Sequence, residues 1–282
     1  MIYLNCEVKS GLGEDTFWTW FNREFPLSTF EEPHKVTEED IILRYSTLGI
    51  LPIIGKQVAL CWELYPQMKK LFNTEMWNSR IEKVYETARY ATYRTVATQA
   101  SVEDYTQFGS VDVIPIGVDT TVFKPLKEKS ILRKKYGIPL NKDVGVWIGT
   151  GHPMKGYADF LQYVGKHASN FWICIWKWKF EALPVQADNI LNFIQIPQSQ
   201  IAELINSADF FCCTNRLKSY YMSEWEAMSC NIPFQYIGNY EKEFFIKNED
   251  SRDVVYKMGW DRFSVKKQWE LFFTERGVAW QK

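Results

Sequence analysis

Short runs rich in β-branched and aromatic residues alternate with helical stretches along this chain of 282 residues, and the alternation breaks and restarts once. In the first series, residues 2–5, 40–45, 58–62, 95–98 and 111–115 read as strands, with an aromatic amphipathic segment at 16–21 and a helix at 79–93. The segment IGVDTTVFKP, 116–125, then interrupts the pattern as a linker would. In the second series, strands at 144–149, 171–176, 190–194 and 210–213 alternate with helices at 157–166, 198–208 and 223–230. An amphipathic helix at 263–275, carrying Trp269, Leu271 and Phe272, closes the chain. Such alternation favours parallel βαβ units, because neighbouring parallel strands need a crossover connection, usually a helix. The expectation is an α/β protein of two Rossmann-like domains facing a cleft, divided as 1–118 and 119–282. The last helix is expected to turn back toward the first domain.

Composition narrows the function classes. A hydrophobic share of 46% with 24% charged residues excludes disordered, collagen-like and coiled-coil chains. The net charge of −1 argues against a globally basic nucleic-acid binder. It is a cancellation, however: residues 1–118 hold 11 Lys and Arg against 16 Asp and Glu, and residues 119–282 hold 22 against 18. The second half therefore suits a small anionic ligand better than a long polyanion spanning both halves. Six cysteines form no CxxC pair, and with only three histidines a metal centre is not expected. Cysteines inside apolar runs read as buried reduced thiols, which points to the cytoplasm. No apolar stretch approaches the ~18–20 residues of a spanning helix. The 12 tryptophans read mainly as core.

The segment GTGHPMKG, 149–156, lies between a strand and a helix. Glycines there let backbone N–H groups approach a ligand, and a helix N-terminus favours negative charge. Lys155 adds a mobile cation. Without GK[ST] this is not a Walker A loop, so an ATPase reading is weak.

Taken in order, VIPIGVDTTVFKP (113–125), IGTGHPMKG (148–156) and NFIQIPQSQIAELINSADFFCCTNRLKSYYMSEWEAMSCNIPF (192–234) resemble glycosyltransferase family 4, of the GT-B fold. The resemblance runs over about residues 96–273, including the tail FSVKKQWELFF. It implies a retaining, metal-independent transfer of a sugar from a nucleotide-diphosphate donor to an acceptor hydroxyl. It also implies no cofactor beyond that co-substrate.

Carried over position by position, the resemblance makes Lys155 one of two cations that hold the donor diphosphate; Thr150 stands where the family has the other, an Arg. Gly149, Gly151 and His152 complete the loop, and Ile196 follows a later strand. Glu226 matches the second Glu of the family's Glu-x7-Glu motif, which binds the ribose hydroxyls; one carboxylate can accept from two vicinal hydroxyls. The first Glu of that motif falls on Lys218, and Ser219, Tyr220, Tyr221 and Met222 follow where donor-facing glycines are usual. Arg216 matches a basic residue common before the motif. Either Lys218 takes over from the missing Arg, or the site no longer binds a usual hexose donor.

In the first half, Gly11 and Gly13 lie where the family has a glycine-rich loop. QVALCWELYP (57–66) resembles a strand ending in His-Asp, here Trp62 and Glu63. Glu63 is a candidate general base for the acceptor hydroxyl, and His34, in a charged loop, is a poor substitute. In WICIWKWKF (172–180) the last rings are candidates for lying near the base. The alternatives are a catalytically silent nucleotide-sugar binding module and a sugar transferase acting on viral DNA, against which the acidic first half argues.

Overall fold

The computed structural model describes residues 1–5, 13–25, 28–29, 36–46, 55–177, 184–238 and 251–278. The chain divides into two units, Met1–Ile116 with Phe263–Lys282, and Gly117–Arg262. The first unit contains β1 (Ile2–Asn5), α1 (Gly13–Glu24), β2 (Ser28–Thr29), β3 (Ile41–Tyr45) and β4 (Lys56–Leu60). It continues with α2 (Tyr65–Phe72), α3 (Asn78–Tyr90), β5 (Tyr93–Val96), α4 (Val102–Tyr105) and β6 (Asp112–Val113). The six strands form one parallel sheet in the order β2-β1-β3-β4-β5-β6. All five residues of β3 are buried, as a strand covered on both faces requires.

The expected helix at 79–93 and strand at 95–98 give way to α3 and β5, both ending earlier. Arg94 shows why. Its guanidinium folds back onto the Ala88 carbonyl and, at 2.9 Å, the Ala91 carbonyl, satisfying acceptors at the helix end.

The second unit contains α5 (Lys129–Lys135), β7 (Val144–Gly149), α6 (Tyr157–Lys166), β8 (Phe171–Trp176) and β9 (Ile190–Ile194). Then come α7 (Gln198–Ser207), β10 (Phe210–Cys213), α8 (Met222–Ser229), β11 (Phe234–Tyr236) and α9 (Ser251–Lys257); α10 (Arg262–Glu275), which starts at this unit's last residue, runs on into the first unit. Its parallel sheet has the order β11-β10-β7-β8-β9. Of the segment 116–125, expected to be a linker, residues 117–125 are knitted into this unit. Asp119 pairs with Arg262 at 2.6 Å, Val118 bridges Asp261, and Phe123 is buried.

Phe263–Lys282 is counted with the first unit because α10 shares that unit's core. Trp269 packs edge-on against Phe21 with centroids 5.4 Å apart, and Phe273 against Phe25 at 5.5 Å. Lys266 adds an ion pair to Glu24 at 2.7 Å. Every described tryptophan is buried, so the tryptophans of the described residues are core. Trp62, at the position where the resemblance has His, stacks on Trp18 at 5.9 Å and meets Phe17 edge-on at 4.9 Å.

Cys61, Cys174, Cys212, Cys213 and Cys230 are buried and unbridged. Burial, with a smaller effect of the Glu226 charge, pushes the Cys230 thiol up to about 12. Since the thiolate is the reacting species, a Cys6→Ser variant should show no fast-reacting thiol at pH 8 by Ellman titration. All five should titrate once denaturant is added; a native thiol reacting within seconds would contradict this burial.

Candidate functional site

In a doubly wound sheet, ligands bind beyond the carboxyl ends of the strands where the strand order reverses. In the second unit that point lies between β7 and β10, paired through Phe210↔Gly145 and Phe211↔Val146. The loops leaving them, 149–156 and 214–221, are the GTGHPMKG segment and the stretch before α8. In the first unit the corresponding point lies between β1 and β3. The residues that follow these two strands, 6–12 with Gly11 and 47–54, lie outside the described residues, as does His34. Gly13 opens α1.

The two loops of the second unit are tied together. Trp147 Nε1–H donates to Thr214 Oγ1 (2.9 Å), and Thr214 Oγ1 donates to the Lys155 carbonyl (2.6 Å). The Arg216 amide donates to the Met154 carbonyl at 2.9 Å. Packing explains two glycines of the segment. A Cβ at Gly149 would lie 2.6 Å from the Trp147 ring, and one at Gly156 only 2.1 Å from the Thr214 carbonyl oxygen. Gly156 also sits at φ 64°. His152 accepts the Met154 amide on Nδ1 (3.2 Å), capping a single turn at Pro153–Lys155. That bond leaves the proton on Nε2. Thr150 Oγ1 accepts the His152 amide at 3.4 Å, and Thr150 and Gly151 are half-buried.

The second loop is organised by Asn215 and Glu224, neither of which stood out in the sequence. Asn215 Oδ1 accepts the Leu217 amide (3.1 Å), while its Nδ2 donates to the Ser219 carbonyl (2.9 Å) and to Glu224 Oε2 (3.1 Å). The buried Glu224 also accepts from the Tyr221 amide (2.5 Å) and from Cys213 Sγ (3.1 Å). Ser219 and Tyr220 point into the unit's interior, where the Tyr220 hydroxyl meets that of Tyr236 at 3.2 Å. Burial pushes the Tyr220 and Tyr221 phenols well up, so both stay protonated at neutral pH. Met222, the first residue of α8, and Ile196, before α7, are half-buried.

Each expected charge of the site has a protein partner. The Lys155 ammonium lies over the Tyr221 ring, 3.2 Å from its centroid. Arg216 places Nε (3.0 Å) and Nη2 (2.6 Å) on Asp159 Oδ2, in the first turn of α6. Glu226, 1% exposed, holds Lys177 Nζ between its two oxygens at 3.0 and 2.8 Å. Lys218 is exposed on the second loop. Lys177 and Asp159 are functional candidates that motif reading missed. The available signal for Lys177 was position: it directly follows a strand whose carboxyl end points to the ligand side. In the first unit, Glu63 follows β4 and accepts a hydrogen bond from Ser46 Oγ at 2.6 Å. Tyr105 OH donates to the Glu63 backbone carbonyl at 3.4 Å.

Among the described residues, no three His, Cys, Asp or Glu side chains gather as a metal site, and no helix is long and apolar enough to cross a membrane. No protein-family model matches the chain, and no curated protein sequence does. Solved structures do. Sucrose-phosphate synthase from Thermosynechococcus elongatus superposes with a TM-score of 0.59 at 13% identity, covering 84% of this chain and 71% of that one. HepE from Anabaena, solved in complex with UDP-glucose, gives a TM-score of 0.59 at 13% identity, with 98% and 95% covered. A glycosyltransferase from Rickettsia africae gives 0.54 at 9% identity, with 96% and 84% covered. With two parallel α/β units of Rossmann type and these neighbours, the chain has the GT-B fold.

Proposed function

We propose that the chain is a glycosyltransferase, of family 4 kind, that moves a sugar from a nucleotide-diphosphate donor to an acceptor hydroxyl. The transfer is metal-independent and retains the anomeric configuration. One observation carries this reading: at the switch point of the second sheet the glycine segment with Lys155 is interlocked with the loop that leads into α8, the helix that carries Glu226. Lys155 leaves the Tyr221 ring for the leaving diphosphate. Backbone amides at Gly149–His152 add fixed donors, an electrostatic stabilisation suited to charge building on a leaving group. Glu226 takes the ribose hydroxyls, and Arg216 and the exposed Lys218 supply further positive charge. Glu63, oriented by Ser46, serves the acceptor hydroxyl as base. The UDP-glucose complex of HepE makes UDP-sugars the first donors to try.

The internal pairing of Lys155, Arg216 and Glu226 favours a second reading, a nucleotide-sugar binding module without turnover. Both are tested by thermal shift with UDP-, GDP-, ADP- and dTDP-sugars. A ligand at 100 times its Kd should stabilise the protein by about 2.7 kcal/mol. Lys155→Ala should weaken the binding nucleotide diphosphate about tenfold, or ~1.4 kcal/mol. Product or released free sugar from the stabilising donor establishes the transferase. Binding with neither establishes the silent module, and no stabilisation by any donor rejects both.

A further inference from the structure

The ion pair between Lys177 and Glu226 stands in the way of the role given to Glu226. Both carboxylate oxygens sit on one ammonium, at 3.0 and 2.8 Å, and the carboxylate side chain is only 2% exposed. A pair of ribose hydroxyls needs those same two oxygens. The ammonium is the member of the pair that can leave, since the Lys177 side chain is 23% exposed and carried on a flexible stem. Its main chain is anchored at the start of the glycine segment: the Lys177 amide donates to the Gly149 carbonyl at 3.0 Å. A lysine pivoting from that anchor reaches the ligand side of β7, where the loop offers Thr150 in place of a second cation.

Resting on the nucleotide-sugar reading above, we propose that Lys177 is a displaceable counter-ion. The ribose takes over the Glu226 oxygens, and the released ammonium pairs with the donor's diphosphate. The handover keeps the cation matched to an anion in both states. It makes occupation of the ribose subsite conditional on a phosphate to receive Lys177. A nucleoside alone must expel the lysine and gives it nothing to pair with. A nucleoside diphosphate does both.

The proposal predicts effects of opposite sign. In Lys177→Met the nucleoside no longer competes with the ammonium and should bind at least threefold more tightly. The corresponding diphosphate loses a cation and should bind about tenfold more weakly. UDP, GDP and ADP are each titrated against their nucleosides on the full chain by calorimetry and ligand-observed NMR, and the tightest wild-type pair is carried forward. The ratio of the two affinities on one preparation is insensitive to loss of folded protein. A second variant, Lys177→Met with Glu226→Gln, leaves no buried charge unpaired and should show the same fall in diphosphate preference. A fall of more than threefold in both variants supports the handover. A ratio within threefold of wild type in either overturns it and leaves Lys177 a structural partner of Glu226. Absence of binding by every wild-type nucleotide overturns the nucleotide-sugar reading as well, so the two failures are distinct.

Discussion

Gly156→Ala is expected to destabilise the protein by about 2–4 kcal/mol, combining left-handed backbone strain with overpacking. The residue sits at φ 64° and its new Cβ would meet the Thr214 carbonyl oxygen at 2.1 Å. Relief by movement is blocked from both sides. Thr214 is held by Trp147 and by the Lys155 carbonyl, and the next loop residue but one, Arg216, is hydrogen-bonded to Met154. The loops must therefore separate, and nucleotide affinity should fall with stability. Two other glycines isolate the causes. Gly137 has φ 68° but open space around it, so Gly137→Ala should cost only the strain, about 1 kcal/mol. Gly165 lies within α6 with nothing near its Cβ position, and Gly165→Ala should stabilise by up to ~1 kcal/mol through helix propensity. Urea unfolding of the three variants measures the order. Equal losses at 156 and 137 would remove the close approach of the two loops as the cause.

Glu224→Ala should be at least as damaging, at about 3–5 kcal/mol, the sum expected when several buried donors lose one shared acceptor. The Asn215 side chain, the Tyr221 amide and the Cys213 thiol all donate to this buried carboxylate. Deleting it leaves those donors in a site closed to water, each at a penalty of roughly 1–3 kcal/mol. It also removes the tie between the second loop and the first turn of α8. Glu224→Gln keeps the size of the side chain and one acceptor oxygen, so it should lose clearly less in the same urea titration. If alanine and glutamine lose equally, charge rather than acceptor count is what the loop needs. If neither loses more than about 1 kcal/mol, the clamp does not organise the loop.

Much of the second unit was readable from local pattern. The expected strands at 144–149, 171–176, 190–194 and 210–213 are β7 to β10, residue for residue. They are short apolar runs bounded by turns, and β7 and β8 are buried along their whole length, which makes such runs conspicuous. Less conspicuous elements escaped. β11 has three residues, and α2 buries only Pro66 and Met68. α5 is a lysine-rich helix of about two turns whose one buried residue is Arg133. None of them offers enough apolar repeats to show a period. The candidate site divides the same way. Its glycine segment and Glu226 stand out by spacing within the chain, whereas Lys177, Asp159, Asn215 and Glu224 matter through partners up to 57 residues away.

The sequence alone determined the parallel α/β class and the position of the loop after β7, because each depends on the pattern of neighbouring residues. It also placed a lysine and a carboxylate at opposite ends of the motif series. Only the tertiary structure decided what those charges do at rest. Lys155 lies on an aromatic ring, Arg216 on Asp159 and Glu226 on Lys177. Pairing is set by which strand ends the sheet brings together, here β7, β8 and β10. A buried carboxylate requires a partner from whichever chain segment folding delivers. That requirement acts through space, so motif spacing identified Glu226 but not the lysine that occupies it.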